Sequence, residues 1–401
     1  MNTRYLSDLF KSVAFKRLRM VEINPQKSNQ HEFNGHKSLK QMLGSDRFEM
    51  RDVPIIRLEG KFESTIIEKK RLQWYDSRLS HLTRSEHRLY YESNSVIPMS
   101  KPGDLLVFVR SVEDRFVLII AEQGSIYDNQ LRWMFGVSEV GDRFVHKDLG
   151  QSLLEINVVS SLLLDQLGID PYKNDHDFDL EKLNKKFGDQ YPTTHLFSKY
   201  AQDVAGRVDP IEDPDHALMT WLETEERLFR LLESKLVKKK LAEGFGKQND
   251  DVDDFIAFSL SIQNKRKSRA GYAFENHLEQ IFIANRVNYS RGVVTENRSR
   301  PDFIFPSIDS YRNPYTDTLS LRMLGVKTTA KDRWRQILTE AERIQHKHLA
   351  TLEAGISDRQ LTEMSHRNVI LVMPRQIIDS VNRSIISTLT VGEFVQEVNV
   401  L

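Results

Sequence analysis

Three short apolar runs in the last third of the chain constrain its fold most tightly. "DFIF" (302–305), "LRMLGVKT" (321–328) and "NVILVMP" (368–374) are strand-length and nearly uninterrupted. A strand that is apolar on both sides of its pleat needs a cover on both faces. Two candidate covers lie around them. "SRAGYAFENHLEQIFIANR" (268–286) sets Phe274, Leu278, Ile281 and Phe282 on one helical face. "DRWRQILTEAERIQHKHLATLEA" (332–354) reads as a second helix with Asp332 in its first turn, where a carboxylate suits the helix dipole. Strands alternating with helices predict an α/β core, a mixed sheet flanked by helices.

Upstream the pattern is different. "DLLVFVR", "SVED" and "RFVLIIAE" read as a β-hairpin around a short polar turn, with "VPIIRLEGKF" and "HRLYYES" as further strands. "NQLRWMFGV" and "SLLEINVVSSLLLDQL" carry helical apolar spacing. Residues 1–165 are therefore expected to form a separate, strand-rich α+β domain. Residues 166–192 are polar, contain two prolines and read as a linker. Residues 193–401 form the second domain, which opens with the long amphipathic "HALMTWLETEERLFRLLESKLVKKKLAEGF".

Lys+Arg and Asp+Glu are both 57, so the chain lacks the global excess of positive charge that would announce nucleic acid, although local patches remain open. Cysteine is absent, which excludes disulfides, thiolate nucleophiles and Cys-ligated zinc and fits a reducing compartment. "MNTRYLSDLFKSV" has no uninterrupted apolar core of a secretory signal. No run approaches the roughly 18–20 apolar residues of a membrane span. A soluble, cytoplasmic protein without membrane association is expected.

The buried runs end in charge. Asp302 opens one strand, Lys327 closes another 25 residues on, and Glu340 follows 13 residues later on the expected helix. Glu275 lies on the preceding helix. Phosphodiester hydrolysis needs such a set: carboxylates to hold Mg²⁺, a hard cation, and a lysine to orient the attacking water and stabilise developing charge. Each residue alone is commonplace surface or turn chemistry, and it is the combination that points to a site. Lys331, Asp332 and Arg333 open the expected helix directly after the second strand. Arg or Lys can bond guanine O6 and N7 and Asp can accept from cytosine N4, so the trio suits C·G pairs; an ordinary charged first turn is the competing reading. In the first domain, "LTRSEHRLYY" offers Arg84, His87 and Arg88 as DNA contacts, or equally an edge strand with alternating charges. His31, Glu32 and His36 are a further metal candidate, whose spacing fits neither HExxH nor a zinc ribbon.

"KKLAEGF", "NKRKSRAGYAFENHLEQIF", "RPDFIFPS" and "LRMLGVKTTAKDRWRQILTEAERI", taken in order, resemble the catalytic domain of the EcoRII-type restriction endonucleases over roughly residues 190–401. That family belongs to the PD-(D/E)XK nucleases, in a variant whose last carboxylate has moved onto a helix. The resemblance implies a restriction-endonuclease-like sheet, and it matches Asp302 to the metal-binding aspartate, Lys327 to the active-site lysine and Glu340 to the relocated carboxylate. It also matches Glu275 to an additional acidic residue, Tyr311 to a tyrosine near the site, and Lys331, Asp332 and Arg333 to the segment that reads a CCNGG or CCWGG-like target. It further implies a Mg²⁺-dependent homodimer that cuts both strands of double-stranded DNA, a possible second, effector DNA site and a cognate cytosine methyltransferase. Residues 1–165 show no such likeness. Two other readings stay open at this point: a modification- or mismatch-dependent DNA endonuclease, and a catalytically silent DNA-binding protein.

Overall fold

The computed structural model describes residues 4–401 apart from 24–30, 60–64, 82, 173–176, 247–249 and 331–332. The chain divides into two compact units. One takes in the chain up to Ile156 together with Ser160–Ile169; the other runs from Asp170 to Leu401 and includes Asn157–Val159.

The first unit is built on eight strands: β1 (Phe10–Arg17), β2 (Glu32–Gly35), β3 (Phe48–Leu58), β4 (Thr65–Asp76), β5 (His87–Tyr91), β6 (Leu105–Ser111), β7 (Phe116–Ala121) and β8 (Val145–Asp148). They form one sheet in the order β2-β5-β4-β3-β7-β6-β1-β8. All neighbours are antiparallel except β3 and β7. Helices α1 (Met20–Ile23), α2 (Lys37–Leu43), α3 (Ile126–Met134) and α4 (Val158–Gln166) and two short 3₁₀ segments accompany the strands up to residue 169. The sheet is buried on both faces. Leu39, Met42, Trp74 and Leu106 belong to one apolar cluster, and Val107, Leu131, Leu163 and Leu164 to a second. The expected hairpin is present, with Val107 opposite Ile119 in β6 and β7.

The second unit begins with helices where a linker was expected. Helix α5 (Asp177–Phe187) buries Leu183 in a cluster with Phe197 of α6 (Thr194–Val204) and Leu228, Phe229 and Leu232 of α7 (Pro214–Glu243). Its leucine spacing, "LEKLNKKF", is amphipathic, so a polar composition concealed a packed helix. Helix α8 (Val252–Ala284) then leads to the sheet.

That sheet has six strands, β9 (Ser290–Arg291), β10 (Phe303–Phe305), β11 (Arg322–Lys327), β12 (Lys347–Thr351), β13 (Val369–Val372) and β14 (Thr388–Leu389), in sequential order. The pairs β9/β10 and β10/β11 are antiparallel, and those from β11 to β14 are parallel. Helices α9 (Ile308–Arg312), α10 (Asp358–Ser365) and α11 (Val391–Asn399) complete it. The mixed sheet flanked by helices is the expected fold class. The apolar face of α8 is the expected one: Phe274, Leu278, Ile281 and Phe282 are all buried, and the Phe282 ring meets those of Phe303 and Phe305 at 5.2 Å.

The single long helix over 332–354 does not form. Arg333–Thr339 is a 3₁₀ segment, an irregular turn follows, and Lys347–Thr351 is a central parallel strand. Good helix formers lose here to tertiary structure, because the slot between β11 and β13 buries all five residues of β12.

Candidate active site

The site is assembled where β10 and β11 meet α8. Asp302 immediately precedes β10, and the register that sets Phe303 opposite Leu324 carries it beside the end of β11. One carboxylate oxygen, Oδ2, accepts both the Val326 backbone N–H at 2.6 Å and the Lys327 ammonium at 3.0 Å. The strand end thus clamps Asp302 by two bonds to the same oxygen.

Glu340 lies close enough for both Lys327 and Asp302 to act on its ionisation. Its Oε2 is buried without a hydrogen-bond partner. Burial is the main reason that its carboxyl is pushed up to about 7; Asp302 adds to the rise, while Lys327 and Lys347 oppose it. Glu275 of α8 is raised by burial and then by Asp302. Its carboxylate accepts from Arg291 at 3.1 Å. Arg291 also bonds Asn276 Oδ1 at 2.9 Å, so it ties the carboxylate to the helix. Three carboxylates and one lysine, contributed by four parts of the sequence, therefore act on one another.

Among the described residues no group of three or more His, Asp or Glu side chains is gathered tightly enough to form a ready-made metal cage. The donors still suit a hard divalent cation. A buried carboxylate oxygen without a partner beside a second carboxylate is a set of oxygen ligands whose mutual repulsion a cation would relieve. Asp302 and Glu340 are the residues that would hold it.

One expectation about this site needs correction. Glu340 does not project from a helix; it sits just after the 3₁₀ segment, whose last turn closes with Glu340 N–H bonded to Ile337 O at 3.1 Å. Tyr311 is 2 % exposed, and its hydroxyl donates to the Glu296 carboxylate at 2.7–2.8 Å. Burial and that bond raise its pKa, so it is held as a neutral phenol anchoring a loop.

Of the residues expected to read DNA, Lys331 and Asp332 lie outside the described residues, and Arg333 is exposed at the start of the 3₁₀ segment. In the first unit Arg84 is exposed. His87 is not available at the surface: it is 5 % exposed, stacks on Trp74 at 5.0 Å and engages Ser85 and Ser45 O at 3.1 Å through its two nitrogens. Arg88 is half-buried between Glu86 and Glu32. β5 is an interior strand of the sheet, so the alternating-edge reading of this segment fails as well.

Sequence reasoning missed the residues that support Glu340. Lys347 is 5 % exposed, and its ammonium donates to the carbonyls of Glu340 at 2.5 Å and Ala341 at 2.7 Å. Burial lowers its pKa to about 8, against the pull of Glu340, Glu296 and Glu342. The Arg343 guanidinium donates to the carbonyls of Tyr311, Asn313 and Thr316. A lysine heading an apolar run, "KHLATL", was the available signal, and it was absorbed into the expected helix.

Residues 229–395 match the family model described as EcoRII C terminal. A curated relative, the Type II restriction enzyme EcoRII of Escherichia coli, is 41 % identical over 187 residues, which cover 46 % of this chain and 45 % of that protein. The chain thus spans less than half the length of the relative it matches. Two solved structures are also similar. Metal-depleted Ecl18kI in complex with uncleaved, modified DNA has 18 % identity and a TM-score of 0.44, over 55 % of this chain and 82 % of that one. The PspGI–substrate DNA complex has 15 % identity and a TM-score of 0.43, over 54 % and 93 %. The resemblance drawn from the motifs is borne out in the matched region, which contains Asp302, Lys327 and Glu340.

Proposed function

We propose that the protein is a Type II restriction endonuclease, which makes Mg²⁺-dependent, site-specific cuts in double-stranded DNA at a CCWGG or CCNGG-like sequence. One observation carries the reading: the Asp302–Lys327 contact at 3.0 Å beside a buried Glu340 oxygen that has no hydrogen-bond partner. Leaving a buried carboxylate oxygen unbonded beside a second carboxylate is costly, and a bound cation would offset that cost. This cluster leaves one open.

The geometry supports the following roles. Asp302 and Glu340 are the cation's ligands. A divalent cation held there would supply a polarised water and neutralise charge on the phosphate. Lys327, fixed by Asp302, has donors to spare for the water or for the phosphate oxygens. Glu275, tied by Arg291, adds a third acidic group whose repulsion with Asp302 a cation would relieve. Arg333, exposed at the start of the 3₁₀ segment, would meet the DNA, with Lys331 and Asp332 beside it in sequence. Cutting both strands of a near-symmetric target calls for two copies of the chain related by a twofold axis. An effector DNA site and a protective cytosine methyltransferase complete the reading.

The test uses short duplexes containing CCWGG, CCSGG or a scrambled sequence, each with and without 5-methylcytosine, incubated with the full chain and Mg²⁺. Cutting of unmethylated CCWGG or CCNGG alone supports the proposal. Cutting of methylated duplexes alone would replace it with a modification-dependent nuclease. Binding without cutting would make the protein a silent DNA binder.

A further inference from the structure

Glu340 stands on a piece of chain with no regular structure to hold it. The 3₁₀ segment ends one residue earlier, and Ala341 takes a left-handed φ of 48° while fully buried. For a residue with a Cβ that conformation costs about 1–2 kcal/mol and persists only where neighbours impose it. The turn also directs two consecutive carbonyls, those of residues 340 and 341, inward to the same ammonium. Buried carbonyls need donors.

We propose that Lys347 is a positioning residue for Glu340: by bonding the carbonyls of Glu340 and Ala341 from within the sheet, its ammonium fixes the turn that presents the Glu340 carboxylate to Asp302 and Lys327. The inference rests on the nuclease reading above. Several observations meet on it. Lys347 is the first residue of β12, and β12 pairs with β11 through Lys327 opposite Thr351, so the anchor belongs to the same rigid sheet as the active-site lysine. Burying an ammonium is costly unless it is bonded and paired. An apolar side chain would fill the same space without that cost, so the gain must lie in the two bonds and in attraction to the carboxylates around it. The outer side of the turn is held separately. Arg343 N–H donates to the Tyr311 hydroxyl at 3.3 Å, and that hydroxyl donates in turn to Glu296. Tyr311 and Arg343 close the turn from the loop side, and Lys347 closes it from the sheet side. A residue that aligns a metal ligand by holding its backbone acts as the outer partners of metal sites do, whose removal costs about 10–100-fold in affinity or activity.

The experiment compares the wild-type chain with Lys347→Met, which keeps the length and removes the donors, and Lys347→Gln, which keeps a neutral donor. Thermal unfolding, DNA binding in EDTA, Mn²⁺ affinity by calorimetry and the Mg²⁺ dependence of cleavage are measured for all three. Both variants are expected to fold and to bind DNA in EDTA within about twofold of wild type. Mn²⁺ affinity should fall by about tenfold in Lys347→Met and less in Lys347→Gln. The Mg²⁺ concentration for half-maximal cleavage should rise in the same order. Mn²⁺ affinity and Mg²⁺ profile within twofold of wild type in a folded variant would overturn the proposal. So would slower cleavage with an unchanged metal profile, or failure of both variants to fold, since each assigns Lys347 to stability alone. A wild-type chain that binds Mn²⁺ but cuts no DNA would defeat the nuclease reading separately, while the Mn²⁺ comparison would still decide the role of Lys347.

Discussion

Closed clusters of buried charge in the first unit contrast with one open cluster in the second. In the first, acids and bases close on one another. Asp104 accepts from Arg57 at 3.3 Å, from Lys101 N at 2.9 Å and from Gln123 N at 3.1 Å. Asp128 is shared by Arg17 at 2.8 Å and Arg132 at 3.0 Å, and buried Lys16 meets buried Glu22. In the second, three carboxylates crowd one lysine, two of them are driven toward protonation, and one of these keeps a buried oxygen without a partner. Satisfied buried charge holds a fold together, whereas unsatisfied buried charge is a cost that a functional site sustains. The difference marks the cluster of Asp302, Lys327 and Glu340 as the candidate site.

The comparison can be broken by removing one acid from each unit. Asp104→Ala leaves the buried Arg57 guanidinium with only Glu59 and Ser100 as partners and strips the Lys101 and Gln123 backbone N–H groups of their acceptor, so it should lower stability by about 1–3 kcal/mol. Asp302→Asn relieves Glu275 and Glu340 of a like charge, so it should cost less than about 1 kcal/mol, or stabilise. Chemical denaturation of the two variants checks this, and equal losses would erase the distinction drawn above.

A pH prediction sharpens it further. His348 is fully buried on β12 and faces Glu397 at 3.7 Å, with Arg322 and His346 also acting on it. Burial above all holds its pKa down at about 4, below the ordinary 6.5, with Glu397 opposing. The folded ring stays neutral while the unfolded ring takes up a proton. Its contribution is therefore present above about pH 6.5 and is lost as the pH falls toward 4, by about 2 kcal/mol at pH 5. His348→Gln should flatten that part of the stability profile. If wild type and variant lose stability in parallel from pH 7 to 5, His348 is not the cause.

How much of this was legible in sequence follows from what each residue advertises. Asp302 and Lys327 could be placed because each ends a short apolar strand whose burial pattern is visible in "DFIF" and "LRMLGV". The helix face of α8 was equally plain. The stretch 332–354 was misread because Leu, Glu, Ala, Arg and Gln favour helices locally, while the decision lay with β11 and β13, which leave room for a parallel strand between them. Lys347 and His348 concealed that strand, since a core strand does not ordinarily carry a lysine and a histidine side by side. In sequence His87 reads as an exposed residue, in a DNA contact or on an edge strand, because its neighbours are charged. Trp74, 13 residues away in sequence and on the adjacent strand, is what buries it.

Smaller effects test how the 3₁₀ segment is seated. Gly325 on β11 lets it approach: a Cβ there would lie 2.5 Å from Ile337 Cγ2. Gly325→Ala should cost about 1–3 kcal/mol by overpacking. Because Ile337 is three residues from Glu340, cleavage should also slow, and destabilisation with unchanged cleavage would show that the segment and the site move independently. Arg333→Ala should lose about 1–3 kcal/mol of discrimination at a G·C pair with little change on unrelated DNA. An equal loss on all sequences, read by competition binding, would assign Arg333 to phosphate instead.

The central claim is that Asp302, Lys327 and Glu340 form one hydrolytic site. Its most direct test is digestion of a plasmid of known sequence by the full chain with Mg²⁺, alongside Asp302→Ala and Lys327→Ala, followed by sequencing of the ends. The account predicts discrete fragments whose ends share one short sequence, no cutting in EDTA, and rates at least about 10²–10³-fold lower in both variants. Near-native cutting by either folded variant, or ends that share no sequence, would contradict it.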